Sequence, residues 1–125
     1  MTRNQTVEIN HLTVLQIQYL TELEQLEKGR GTIGAVAAKC GVKHPTVSRF
    51  FKSCIEKGYL TESLEFTDKG KKMLRWHQKV QKDVREYLER SGITEGIDDV
   101  LKGMIENIDY RRLEELTKSH MRINK

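Results

Sequence analysis

Apolar residues recur along most of this chain at steps of three and four, and glycines interrupt the pattern at its breaks. Over residues 9–27, Leu12, Leu15, Tyr19, Leu23 and Leu26 fall on one stripe, which predicts a first amphipathic helix stopped by the Gly29–Gly31 run. Thr32 is placed to cap a short second helix over 33–40. Gly41 then supplies the left-handed residue that a sharp helix-to-helix turn requires. Pro45 opens a third helix, where its missing N–H costs nothing because the first-turn donors have no intrahelical acceptor. Val47, Phe50, Phe51, Cys54 and Ile55 give that helix its inward face, and Gly58 closes it.

After Gly58 the period shortens. Tyr59, Leu60, Leu64 and Phe66 come near alternation around a polar tip, which predicts a small two-stranded ribbon. Thr67 then caps a long helix over 68–90, with Met73, Trp76, Val80, Val84, Tyr87 and Leu88 inward and Gly92 at its end. Two shorter helices follow, over 97–108 (Val100, Leu101, Met104, Ile105, Ile108) and over 110–121, the latter capped by Asp109. Helix, short helix, glycine turn, helix and small ribbon are the parts of a winged helix-turn-helix. The expected fold is mainly α: a winged helix-turn-helix DNA-binding domain over residues 1–70, then a helical dimerisation segment over 71–125. The stripe of the long helix is large for a chain of this size, and a symmetric homodimer would cover part of it.

Composition narrows the class. At 125 residues the chain has the size of one domain, and 32% of its residues are charged, which suits small packed helices with wet outer faces. No apolar run approaches a membrane span and the N-terminus lacks a signal-peptide pattern, so a soluble, cytoplasmic protein is expected. Cys40 and Cys54 fit reduced thiols, and no C-x-x-C pair points to zinc. Nothing resembles a nucleophile elbow, a P-loop or a paired-carboxylate constellation, and His11, His44, His77 and His120 are scattered, each more than 30 positions from the next; the expectation is a protein that is not an enzyme.

The net charge of +4 is unevenly placed: residues 1–27 carry −3, residues 28–90 carry +8 and residues 91–125 carry −1. A basic excess around the turn and third helix favours a polyanion, because neutralising phosphates releases condensed counterions. In a helix-turn-helix the second helix enters the major groove with its N-terminal end leading. Lys43, His44, Pro45, Thr46, Ser48, Arg49 and Lys52 are therefore the candidate contacts with double-stranded DNA. Arg49 lies one turn after Pro45 and matches guanine O6 and N7 through two hydrogen bonds; the proline ring suits a thymine methyl. Thr46 and Ser48 are short donors for phosphate or base edges, and Lys43, His44 and Lys52 are assigned to phosphates. Lys69, Lys71, Lys72 and Arg75 add phosphate candidates, whereas Glu62 and Glu65 make the wing acidic.

The stretches "YLTELEQLEKGRGTIGAVAAKCGVKHPTVSRFFKSCIEKGYL" and "LEFTDKGKKMLRWHQKV" resemble the diphtheria-toxin-repressor-like, iron- and manganese-dependent transcriptional regulators, in particular the smaller manganese-transport-regulator-like members. The resemblance rests on "HPTVS", the "EKGYL" helix exit, "T-x-K-G" and a long helix carrying a histidine, and it fades toward His120. It implies a homodimeric repressor whose operator binding is activated by a divalent transition metal, Mn or Fe. The residues matching Pro45 and Arg49 approach bases in that family, where glutamine is familiar at the latter position. For metal, the resemblance transfers only His77 and Glu106. Gln81, Gly103 and Asn107 stand where acidic residues or histidine would be expected, and Ile17 and Leu20 fall near the helix-1 ligand positions. Two ligands are too few for such an ion, so the implied relative keeps the DNA-binding dimer scaffold and has lost or altered metal control. Metal, a small molecule, a redox change at Cys40 or Cys54, and no signal at all remain open as its control. The alternative from another class is a winged-helix protein–protein interaction module without DNA binding, which the acidic wing would suit.

Overall fold

A computed structural model describes residues 12–26 and 32–123, with side chains described through residue 118. Among the described residues there are six helices: α1 (Val14–Gln25), α2 (Thr32–Cys40), α3 (His44–Glu56), α4 (Asp68–Arg90), α5 (Ile97–Asn107) and α6 (Tyr110–Ile123). The chain divides into two compact units, residues 15–75 and residues 76–123 together with 12–14, and the division falls inside α4.

In the unit of residues 15–75, α1 buries Ile17, Tyr19, Leu20 and Leu23, while Leu15 and Leu26 are only half-buried. The inward line thus includes Ile17 and Leu20, which the expected stripe omitted. The helix begins at Val14, five residues later than the pattern suggested; Leu12 and Thr13 are not helical, and the expected residues 9–11 and 27, the Gly29–Gly31 stop and His11 lie outside the described residues. Val36 and Ala37 of α2 and Val47, Phe51 and Cys54 of α3 complete this part of the core, with Phe50 and Ile55 half-buried. Phe50 meets the Tyr19 ring edge-on, centroids 5.8 Å apart.

The turn between α2 and α3 follows from Gly41. Its φ of 68° directs the Gly41 and Val42 N–H groups back to the Ala38 and Ala37 carbonyls at 3.3 and 3.0 Å. This pair of bonds satisfies carbonyls that a helix end leaves open. The same pair closes α3, where Gly58 N–H reaches the Ile55 carbonyl and Tyr59 N–H the Cys54 carbonyl, at 3.0 and 2.9 Å.

The ribbon expected after α3 is reduced to a single antiparallel bridge between Leu60 and Phe66. The neighbouring helices consume the backbone groups a longer ribbon would use. Tyr59 and Leu60 N–H both turn to the Cys54 carbonyl, at 2.9 and 3.4 Å. On the return side, Thr67 belongs to the cap of α4: its hydroxyl accepts from Gly70 N–H at 3.0 Å and donates to the Gly58 carbonyl at 2.6 Å. The tip is held by Leu64 N–H on the Thr61 carbonyl and Thr61 N–H on the Glu65 carbonyl, both 2.8 Å. Leu64 adopts a φ of 64°, a left-handed conformation uncommon outside glycine and asparagine.

In the other unit, Val80, Val84 and Leu88 of α4 pack with Leu101 and Ile105 of α5 and with Tyr110 and Leu113 of α6. Trp76 and Tyr87, expected inward, are half-buried, and His77 is fully buried in their stead. α4 ends as expected, with Gly92 N–H on the Glu89 carbonyl at 3.0 Å and Ile93 N–H on Leu88 at 2.9 Å. Asp109 caps α6 by accepting from Arg112 N–H at 3.0 Å.

Candidate nucleic-acid interface

Helix α3 is amphipathic in a way its register dictates. Val47, Phe51 and Cys54 follow each other at steps of four and three and are at most 2% exposed. Pro45, Arg49, Lys52 and Glu56 follow at steps of four, three and four, so they fall within an arc of about 60° nearly opposite the buried line. All four are exposed. Lys43, His44 and Thr46 are exposed at the N-terminal end, and Ser48 is half-buried beside them. The structure therefore places the seven candidate contacts on or just before one helix, with Lys52 past its midpoint.

That end is open. Lys43 is the N-cap residue, with extended φ and ψ of −81° and 146°, and its side chain makes no capping bond. Pro45 stands in the first turn, and Thr46 N–H returns to the Lys43 carbonyl at 3.1 Å. First-turn N–H groups and the helix dipole favour an anion at such an end. The Arg49 Nε donates a long bond of 3.5 Å to the Pro45 carbonyl, and the side chain is exposed.

The phosphate candidates of α4 do not stay together. Lys69 donates from Nζ to the Lys57 carbonyl at 2.9 Å and stands 5.3 Å from the Tyr59 ring centroid, so it helps to close α3. The Arg75 guanidinium makes a two-pronged pair with the Glu24 carboxylate. Lys71 and Lys72 are exposed. Neither engagement was visible in sequence, because Glu24 lies 51 positions before Arg75. Glu62 and Glu65 are exposed on the wing.

Cys54 is buried on the inner line of α3, and burial pushes its thiol up to about 12. Cys40, half-buried at the end of α2, is also raised, chiefly by burial and then by the Glu22 carboxylate.

Of the positions that would hold a metal in the metal-dependent regulators, His77, Ile17 and Leu20 are packed in the interior and Glu106 and Asn107 are exposed. His77 is 0% exposed, its ring meeting Trp76 at 4.9 Å and Tyr110 at 4.3 Å, both edge-on. Gln81 donates to the Tyr110 hydroxyl at 3.0 Å. Asn107 donates to the Gly103 carbonyl at 2.7 Å, and Glu106 is exposed. Ile17 and Leu20 are 2% and 0% exposed. Among the described residues no group of three or more His, Cys, Asp or Glu is placed to hold a metal ion. A buried aromatic-caged histidine and a surface glutamate do not fit a divalent transition metal, which needs several oxygen or nitrogen donors.

A two-helix turn followed by a one-bridge wing defines a winged helix-turn-helix protein, and comparison with known families agrees. The model of the winged helix-turn-helix, PRTase-associated family (wHTH-PRTase associated) matches residues 9–94, and the chain belongs to that family. No curated protein and no solved structure matches it. Among the described residues no helix is long and apolar enough to cross a membrane.

Proposed function

We propose that this protein is a sequence-specific DNA-binding transcriptional regulator, a repressor acting as a homodimer in the cytoplasm. The observation that carries the reading is the exposed line of Pro45, Arg49 and Lys52 on α3, opposite the buried line of Val47, Phe51 and Cys54. A helix so oriented offers a major groove a guanine-reading arginine and flanking cations. In this reading, residues 1–70 bind the operator and residues 71–125 dimerise. Val100 and Leu116, each 38% exposed, and the half-buried Ile97 and Met104 supply apolar surface for a second copy.

The likeness to metal-dependent repressors enters at the level of the scaffold: a relative that keeps the DNA-reading dimer and works without the two-residue remnant His77 and Glu106. The test is selection of bound sequences from random duplexes, with and without Mn²⁺. The expected result is one imperfect palindrome, recovered equally in both arms. Recovery of random sequence would overturn the reading, and a palindrome recovered only with metal would overturn the loss of metal control.

The exposed Glu62 and Glu65 favour a second reading, in which the wing docks a partner protein. The family's name associates it with a PRTase, which makes such an enzyme the partner to try. Pull-down by the wild type but not by a Glu62→Lys, Glu65→Lys variant is the result that would support it.

A further inference from the structure

We infer that the cleft between the wing and the start of α2 binds a small organic cation with an apolar body, and that this occupant strengthens DNA binding. The site stands without the DNA-binding reading above; its effect on affinity rests on that reading. The cleft has a volume of about 690 Å³, within the range of small-molecule sites. Every residue lining it falls inside the unit of residues 15–75.

The walls are apolar and come from three elements. Leu23 and Leu26 stand at the end of α1, Ile33 in the first turn of α2, and Leu64 and Phe66 on the wing. Leu23 is buried and the other four are half-buried, so an apolar body laid between them sheds water on several sides at once. The rim is acidic. Glu62 and Glu65, both exposed, line the cleft from the wing, against the exposed ammonium of Lys71. Glu24 lines it too, with its carboxylate engaged by the Arg75 guanidinium. The first turn of α2 favours an anion, but two carboxylates against one ammonium tip the balance to a positive head. The walls make that head part of an organic molecule, because a hard metal ion wants more oxygen ligands than the rim supplies.

The cleft also touches the start of α3. His44, its first residue, lines the cleft, and His44 Cδ2 lies 3.9 Å from where a Cβ on Gly34 of α2 would stand. His44 and Lys71 are both phosphate candidates. Glu62 and Glu65, across the same cleft, repel the phosphates those residues would hold; a cation lodged beside them removes that repulsion. The acidic wing, out of place on a DNA-binding protein, becomes the part that senses the ligand. By linkage, cation and DNA raise each other's affinity by the same factor.

The experiment titrates the full chain with phenethylamine and follows its amide resonances by NMR, with phenethyl alcohol, hydrocinnamate and Mg²⁺ in separate arms. The expected result is saturable binding of the amine in preference to the other three, with the largest shifts at Leu23, Ile33, Glu62 and Phe66. Binding should weaken roughly fivefold in a Glu62→Gln, Glu65→Gln variant whose unfolding midpoint matches the wild type. If that variant does not fold, Glu62→Gln alone makes the same comparison, with a smaller loss. Equal binding of the alcohol, binding of the carboxylate or Mg²⁺ instead of the amine, or shifts confined to other parts of the chain would overturn the site. Affinity for the selected duplex should rise roughly fivefold with saturating amine in the wild type and stay unchanged in the double variant. Duplex affinity that the amine does not alter would overturn the coupling. A chain that binds no duplex in either arm would instead overturn the DNA reading, with the amide titration still deciding the site.

Discussion

Arg49 and Tyr110 show how differently two residues can be read from a sequence. Arg49 was placed on the outer face of α3 by counting from Pro45, because helical register needs only local spacing. Tyr110 took its role from partners far away. Its ring packs on His77, 33 positions earlier, and its hydroxyl accepts from Gln81. For the same reason His77, which the resemblance offers as a ligand, lies in the core without any local pattern to show it, since its surroundings come from stretches of chain that periodicity does not link. Burial pushes the Tyr110 hydroxyl up to about 12 against an ordinary 10.0, the Gln81 bond opposing slightly. Tyr59 is likewise pushed up to about 12, by burial first and then by Cys54. Both folded values are raised above the unfolded one, so their contribution to stability is complete below about pH 10 and is lost as pH rises toward 12. For fully buried Tyr110 this amounts to roughly 2–3 kcal/mol. The expected outcome is a urea midpoint that begins to fall above about pH 9, where the buried Cys54 thiol adds its share, and falls more steeply beyond pH 10, with part of the 295 nm tyrosinate absorbance appearing only as the chain unfolds. Ionisation of all the tyrosines near pH 10 in folded protein would contradict the burial of these two.

At the scale of elements, the helix ends were legible wherever a side chain or glycine supplies the cap. Gly41, Gly58 and Gly92 each end a helix through the same pair of backbone bonds, and Asp109 caps α6. The wing was not legible, because its length is set by the backbone needs of the helices on either side rather than by alternation of Tyr59, Leu60, Leu64 and Phe66. The junction between α3 and α4 is tighter than any pattern suggests. A Cβ placed on Gly70 would stand 2.0 Å from the Tyr59 carbonyl oxygen and 2.8 Å from its carbon. That carbonyl cannot easily retreat: Tyr59 N–H is held by Cys54 and the Tyr59 carbonyl accepts from Thr67 N–H at 3.1 Å. Gly70→Ala should therefore lose about 3 kcal/mol, read from the urea midpoint. Stability equal to the wild type would show that α4 does not need this approach to dock against the exit of α3.

For the whole molecule, the sequence already separated a basic middle, residues 28–90, from acidic ends, and that separation places the surface for a polyanion on the elements of the middle. What it could not show was how many of the basic side chains are spoken for. Lys69 and Arg75 serve the fold; the exposed cations left among the described residues of the unit of residues 15–75 include those of α3, with Lys39, Lys43, Lys71 and Lys72. A ligand set is likewise a property of several helices at once: His77 lies in the core, whereas Glu106 is on the surface. The most direct measurement is binding of the selected duplex across a salt series by the wild type and by Arg49→Glu. The expected result is affinity that falls steeply and linearly in log–log form as salt rises, and binding abolished in the variant with an unchanged unfolding midpoint. Binding insensitive to salt, or retained at wild-type strength with glutamate at position 49, would contradict α3 as the DNA-reading helix.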